Sequence, residues 1–113
     1  MEEEEKSRLE QFKEFVEMDP TDTFSRYALA MEYMSIQNFD EAINHFREVL
    51  KTDPSYSAAY FQAAIAARKA GGTDQAKELL GQGIAAAEKK GDWHARDEMK
   101  AMLEEMKADT END

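Results

Sequence analysis

The sequence predicts an all-α fold, a solenoid of antiparallel helix pairs stacked one on the next. Three observations carry the prediction. The 113 residues are dominated by Ala, Glu, Lys, Met and Leu, with two prolines and five glycines, which is a helix-forming composition. Apolar residues recur three and four positions apart over most of the chain. And the pattern repeats itself 34 residues on: Asp19-Pro20 returns as Asp53-Pro54, Phe12 as Phe46 and Leu80, Val16 as Leu50 and Ile84, Glu14 as Glu48 and Gln82, Ala30 as Ala64, Asp40 as Asp74, and Ala42 as Ala76. One coincidence would mean little. A constant offset that includes both prolines is a period.

Each element follows from local chemistry. Residues 6–18 match the second helix of the later periods and form half a repeat, 6–22, with Pro20 ending it. Phe24, Tyr27, Ala28, Met31 and Met34 give a helix over 23–37. After a short link at Gln37-Asn38, with Asn38 or Asp40 as cap, Phe39, Ala42, Ile43, Phe46, Val49 and Leu50 give a helix over 40–52, stopped by Pro54. The next period repeats the design: a helix over 57–70, a Gly71-Gly72 turn, and a helix over 74–89 capped by Thr73 or Asp74. Gly91 then punctuates and Asp92 caps a last helix over 93–107, with Trp93, Ala95, Met99, Met102, Leu103 and Met106 as its apolar residues. One domain over 1–107 results, with repeats at 23–56 and 57–90, and a polar, disordered tail over 108–113.

Charge and composition exclude several classes. The net charge is −11, distributed as −5 over residues 1–20, −1 over 21–90 and −5 over 91–113. Acidic ends suit elements that solubilise the two faces of a stack. They oppose nucleic-acid binding, which needs clustered bases to displace counterions. Without cysteine there is no disulfide framework and no thiolate metal site. The start Met1-Glu2-Glu3-Glu4-Glu5 has neither the basic region nor the apolar stretch of a secretory signal, and no run approaches the roughly 18 to 20 apolar residues of a membrane span, so a cytoplasmic protein is expected. The four glutamates read as a solvated acidic start, favourable near a helix N-terminus.

The periodic residues resemble the tetratricopeptide repeat family, whose 34-residue helix–turn–helix carries Trp, Leu-Gly, Tyr, Ala, Phe and Pro at fixed spacing. The first full repeat holds Arg26, Leu29-Ala30, Tyr33, Ala42, Phe46 and Pro54 at those positions. The second holds Tyr60, Ala63-Ala64, Ala67, Ala76 and Leu80, with Glu88 where the proline would fall. The departures are Arg26 for the usual aromatic, Gly83 for a small alanine-like residue, and Asp97-Glu98 where Leu-Gly would fall in the last helix, which therefore reads as a cap on the exposed end of the stack. Gly81 and Gly83 each cost the fifth helix roughly 1 kcal/mol relative to alanine, making it the softest.

The resemblance implies a right-handed superhelix whose first helices line a concave groove for an extended peptide or a helix. By position the lining is Phe24, Tyr27, Met31, Met34 and Ser35 from the first repeat, and Ala58, Phe61, Ile65, Arg68 and Lys69 from the second: an apolar patch with a basic end. The expected function is a non-catalytic adaptor for a protein or peptide partner, with self-assembly into a weak homo-oligomer as the alternative. The Lys and Asn clamp by which one subtype of the family holds chaperone C-termini is absent, because its positions fall on Tyr27, Met31, Gln62 and Asp92 with only Arg96 basic. No cofactor, metal or catalytic group is expected. The two histidines, His45 and His94, lie in different helices, His45 on a polar flank; Gly71-Gly72-Thr73 lacks the lysine and spacing of a phosphate loop, and the acids lack calcium-loop spacing.

Overall fold

In a computed structural model, which describes residues 7–111, the chain forms six helices: α1 (Arg8–Met18), α2 (Thr23–Ser35), α3 (Phe39–Thr52), α4 (Ser57–Lys69), α5 (Thr73–Lys90) and α6 (Trp93–Glu111). The acidic start at 1–5 lies outside the described residues. Each helix packs on the next in chain order, and α6 also touches α4. The radius of gyration is 15.6 Å, above the roughly 13 Å of a globular domain of 100 residues. That elongation is what a stack of pairs produces and a closed bundle does not.

The boundaries have visible causes. Ser7 and Glu10 form a reciprocal capping box, the Glu10 N–H donating to Ser7 Oγ at 3.1 Å and the Ser7 N–H to Glu10 Oε1 at 3.0 Å, so α1 starts at Arg8. Asp22 caps α2 and Asn38 caps α3, where the Glu41 N–H donates to its side chain. Neither Thr73 nor Asp74 caps α5, contrary to expectation: Gly72 holds the N-cap position and supplies no side chain. Asp92 caps α6 as expected, accepting from the Ala95 N–H at 3.2 Å.

Two kinds of turn join the helices: the Asp-Pro turns recur 34 residues apart, as do the left-handed turns after α2 and α4, while the left-handed turn after α5 stands where a third Asp-Pro turn would fall. After α1 and α3, Asp19 and Asp53 each accept from the N–H and hydroxyl of the residue two positions on, Thr21 and Ser55, across the prolines. These bonds hold the Asp53 carboxyl below its usual pKa. After α2, α4 and α5 the chain closes through a left-handed residue, Gln37 (φ 63°), Gly71 (89°) and Gly91 (81°). The following N–H then reaches back to the carbonyl of Tyr33, Ala67 or Ala87 at 2.8–2.9 Å.

The core is built on alanine. Ala30, Ala42, Ala59, Ala63, Ala64, Ala66, Ala67, Ala76 and Ala87 are fully buried, which lets helix backbones approach closely, while Phe46, Val49, Leu79, Leu80 and Met99 fill the spaces between layers. Gly83 belongs to this set: a Cβ there would lie 2.6 Å from Tyr60 Cβ and 2.5 Å from Met99 Sδ. The glycine is a close approach of α5 to its neighbours, not a soft spot.

Two corrections concern the C-terminal third. With Glu88 in place of a helix-stopping proline, α5 runs on to Lys90. And α6 does not end at 107: it continues to Glu111, so residues 108–111 are helical, with Asp109 held by Arg68 of α4. Residues 112 and 113 of the expected tail lie outside the described residues.

Candidate functional site

The expected lining comes from two helices in corresponding places, α2 and α4, and its residues differ in what they leave free. Phe24, at the start of α2, is 72 % exposed. Ala58 and Lys69 are exposed, and Ile65 is half-exposed. Met31, Met34 and Phe61 are half-buried against the core. Tyr27 is largely structural: its ring stacks on Tyr56 at 5.0 Å and leans on Phe46 at 5.6 Å, tying α2 to α3 and to the entry of α4. Burial, then the neighbouring Tyr56, raises the Tyr27 phenol above its ordinary pKa, so it stays neutral.

The expected basic end is not a free basic end. Arg68 donates to Glu105 at 2.7 Å and to Asp109 at 3.2 Å, both on α6. Those bonds push the guanidinium pKa up further. The cluster holds two acids for one base, so an incoming carboxylate would meet net negative charge there. Glu105 and Asp109 were not among the expected site residues. Their signal is an acidic pair four residues apart, which falls on one helical face.

Arg26, which stands where the family has an aromatic, keeps a bond that Tyr60 makes in the next repeat. Arg26 Nη2 donates to the Pro20 carbonyl at 3.2 Å, and Tyr60 Oη to the Pro54 carbonyl at 2.9 Å, each reaching back six residues. The other guanidinium nitrogen lies 3.3 Å from His45 Nδ1, and the His45 ring stacks on Tyr33 at 5.4 Å with an interplanar angle of 9°. His45 is therefore half-buried in the α2–α3 interface rather than set on a polar flank. Burial, then Arg26, lowers its pKa, which keeps the imidazole neutral and able to accept.

The clefts lie away from the lining. One of about 370 Å³, between the α3–α4 turn and the end of α5, is lined by Asp53, Pro54, Ser55, Ala86, Lys89 and Lys90, with Lys90 Nζ donating to the Ser55 carbonyl at 3.3 Å. Another, of about 400 Å³, runs along α3 past Glu41, His45 and Lys51. No cluster of three or more His, Asp or Glu placed to hold a metal occurs among the described residues. No helix among them is long and apolar enough to cross a membrane.

Comparison with known proteins decides the family. A tetratricopeptide repeat model matches residues 33–103. The chain belongs to the tetratricopeptide repeat family. It is similar to a TPR repeat-containing protein of Pseudomonas aeruginosa, 30 % identical over 81 residues, which are 72 % of this chain and 77 % of that one. A tetratricopeptide repeat domain protein of Salinibacter ruber, solved in solution, superposes with a TM-score of 0.74 at 31 % identity, covering 80 % of this chain and 91 % of that one. The Yersinia enterocolitica secretion chaperone SycD, solved with a peptide of the translocator YopD, superposes with a TM-score of 0.81 at 19 % identity, covering 90 % of this chain and 79 % of that one. At that identity the last likeness concerns the fold alone.

Proposed function

We propose that this tetratricopeptide repeat protein is a non-catalytic interaction module that holds a peptide or helix of a partner protein along its concave face. The surface consists of Phe24, Tyr27, Met31, Met34, Ala58, Phe61, Ile65, Arg68 and Lys69, within a domain made of the half repeat, two full repeats and the last helix. The observation that carries the reading is the exposure of apolar side chains at matching positions of α2 and α4, with Phe24 the most open at 72 %. The SycD–YopD complex supports it by example, a protein of the same fold engaging a partner's peptide. The partner is a protein and not a nucleic acid, given the charge of −11, and the working place is the cytoplasm.

The test uses exposed positions, because Tyr27 props up Phe46 and Tyr56 and its loss would confuse binding with folding. Phe24→Glu with Ile65→Glu is compared with wild type in capture from a lysate of the source organism, with circular dichroism as the folding control. The expected result is a protein retained by wild type and lost with the variant. A partner retained equally by both would remove the concave face as the site.

A further inference from the structure

A different surface stands out at the N-terminal end of the stack. The 34-residue offset aligns Arg8, Phe12 and Phe15 of α1 with Ala42, Phe46 and Val49 of α3, and with Ala76, Leu80 and Gly83 of α5. All six counterparts are buried. In both full repeats a first helix meets that part of the second: Tyr27 of α2 leans on Phe46, and Tyr60 of α4 comes close to Gly83. In the half repeat no described helix does so. Phe15 is left 49 % exposed and Met18, one turn on, 81 %. The Phe12 ring meets Phe15 edge-on at 6.0 Å and is covered on another side by the Arg8 guanidinium at 5.6 Å, which also pairs with Glu32 of α2 at 3.0 Å. At Phe15 the repeat thus states what covers such a face, an α-helix, while Met18, whose counterparts Thr52 and Ala86 are exposed and half-buried, extends the face at its open edge.

Charge says which kind. On the 100°-per-residue wheel of α1, Glu10, Glu14 and Glu17 form a row beside Phe15 and Met18 on the edge away from Phe12 and Val16, the residues packed toward α2. A second copy is a poor occupant. Its α6 commits Met99 and Met106 to its own core, and pairing two α1 faces would set two acidic rows together in chains of net charge −11.

We infer that the exposed face of α1 is a second docking site, separate from the concave face, and that it takes an amphipathic helix of another protein. That helix presents a Leu/Ala stripe to Phe15 and Met18 and Lys or Arg to the acidic edge beside them, where Glu17 adds its charge to that of Glu14 and of Glu10, which is already bound to Ser7. It completes the half repeat by occupying the place of the first helix.

The probe is a synthetic helical peptide of about five turns with Leu and Ala on one face and Lys on the flanks. Its twin carries Glu for Lys. Binding is read by fluorescence anisotropy against wild type, Phe15→Glu/Met18→Glu, Met18→Glu alone (for which folding is not at issue) and the concave-face variant Ala58→Glu/Ile65→Glu. The Lys peptide is expected to bind wild type and the concave-face variant alike. Affinity should fall roughly tenfold or more for either α1 variant and for the Glu twin. Failure of the Lys peptide to bind wild type overturns the inference, as does equal binding to both α1 variants or loss on the concave-face variant. A dimer of the free protein in sedimentation that Met18→Glu abolishes also overturns it, because a second copy would then hold the face.

Discussion

Gly81 and Gly83 lie two residues apart in α5 and answer to opposite constraints. Nothing approaches within 4 Å of a Cβ built on Gly81, so that glycine only carries the backbone-entropy cost of its kind. Gly81→Ala is expected to stabilise the fold by about 0.5–1 kcal/mol. At Gly83 the Met99 thioether can swing aside, but Tyr60 Cβ, 2.6 Å from the new methyl, is fixed to its helix. Gly83→Ala is expected to destabilise, with an overpacking cost of about 1–3 kcal/mol outweighing the gain in helix propensity. Urea denaturation of the two variants checks both signs, and a stabilised Gly83→Ala would contradict the close approach of α4, α5 and α6. The sequence treats the two glycines alike, because propensity is a local property and the neighbours of Gly83 come from residues 60 and 99. The exchange of Arg26 for an aromatic was unreadable for the same reason: its bond to the Pro20 carbonyl shows only once α2 is placed.

Among the elements, α6 departs furthest from the repeat. Among its described side chains Met99 and Met106 are buried, while Asp97 and Glu98, which fall at the family's Leu-Gly positions, are exposed. The extension of α5 to Lys90 and the tight Gly91-Asp92 turn bring α6 in on its own register, with its methionine stripe on α5. Two interactions hold it, and they differ in kind. Met99 is fully buried, so Met99→Ala is expected to cost about 2–4 kcal/mol from lost burial and a residual cavity. The Arg68 pairs with Glu105 and Asp109 are open to water, so Arg68→Gln should lower the urea midpoint far less and mainly fray the last turns. Hydrogen exchange over residues 105–111 separates the two effects: wholesale loss of protection from Arg68→Gln, equal to that from Met99→Ala, would show the ion pairs to be the main tie. The five earlier helices were legible because two prolines, the turns at Gln37 and Gly71, and the apolar spacing recur with one period. The end of α6 was not, because a polar segment reads as a tail until its long-range partner, Arg68, is located. The proposed lining is a mixed case: its positions follow from the repeat, but the sequence could not show that Tyr27 is partly committed to the core or that Arg68 is already paired.

At the scale of the molecule, the alanine-rich core and the charge of −11 pull in opposite directions. Layers that approach closely bury apolar area efficiently, but they also stack acidic surfaces: the two ends each carry −5 while the middle is nearly neutral. In a stack elongated to 58 Å the ends are far apart compared with a screening length of about 8–10 Å at ordinary ionic strength. Their mutual repulsion is therefore small, and the cost lies within each end, among Glu10, Glu14 and Glu17 at one and Asp97, Glu98, Glu104, Glu105 and Asp109 at the other. Unfolding lets these charges separate, so added salt should relieve the native state more than the unfolded chain. The opposing effect, screening of Arg8–Glu32 and the Arg68 pairs, is limited because the Arg68 pairs are open to water and contribute little to begin with, which leaves Arg8–Glu32, whose carboxylate is largely covered, as a single pair. The melting temperature is accordingly expected to rise between low salt and about 0.5 M sodium chloride. A gain of about 1 kcal/mol would appear as roughly 3–5 °C for a chain of this size. Calorimetry at several salt concentrations measures it, and a melting temperature that fell with salt would mean that the ion pairs, not the acidic excess, dominate the electrostatics of the fold.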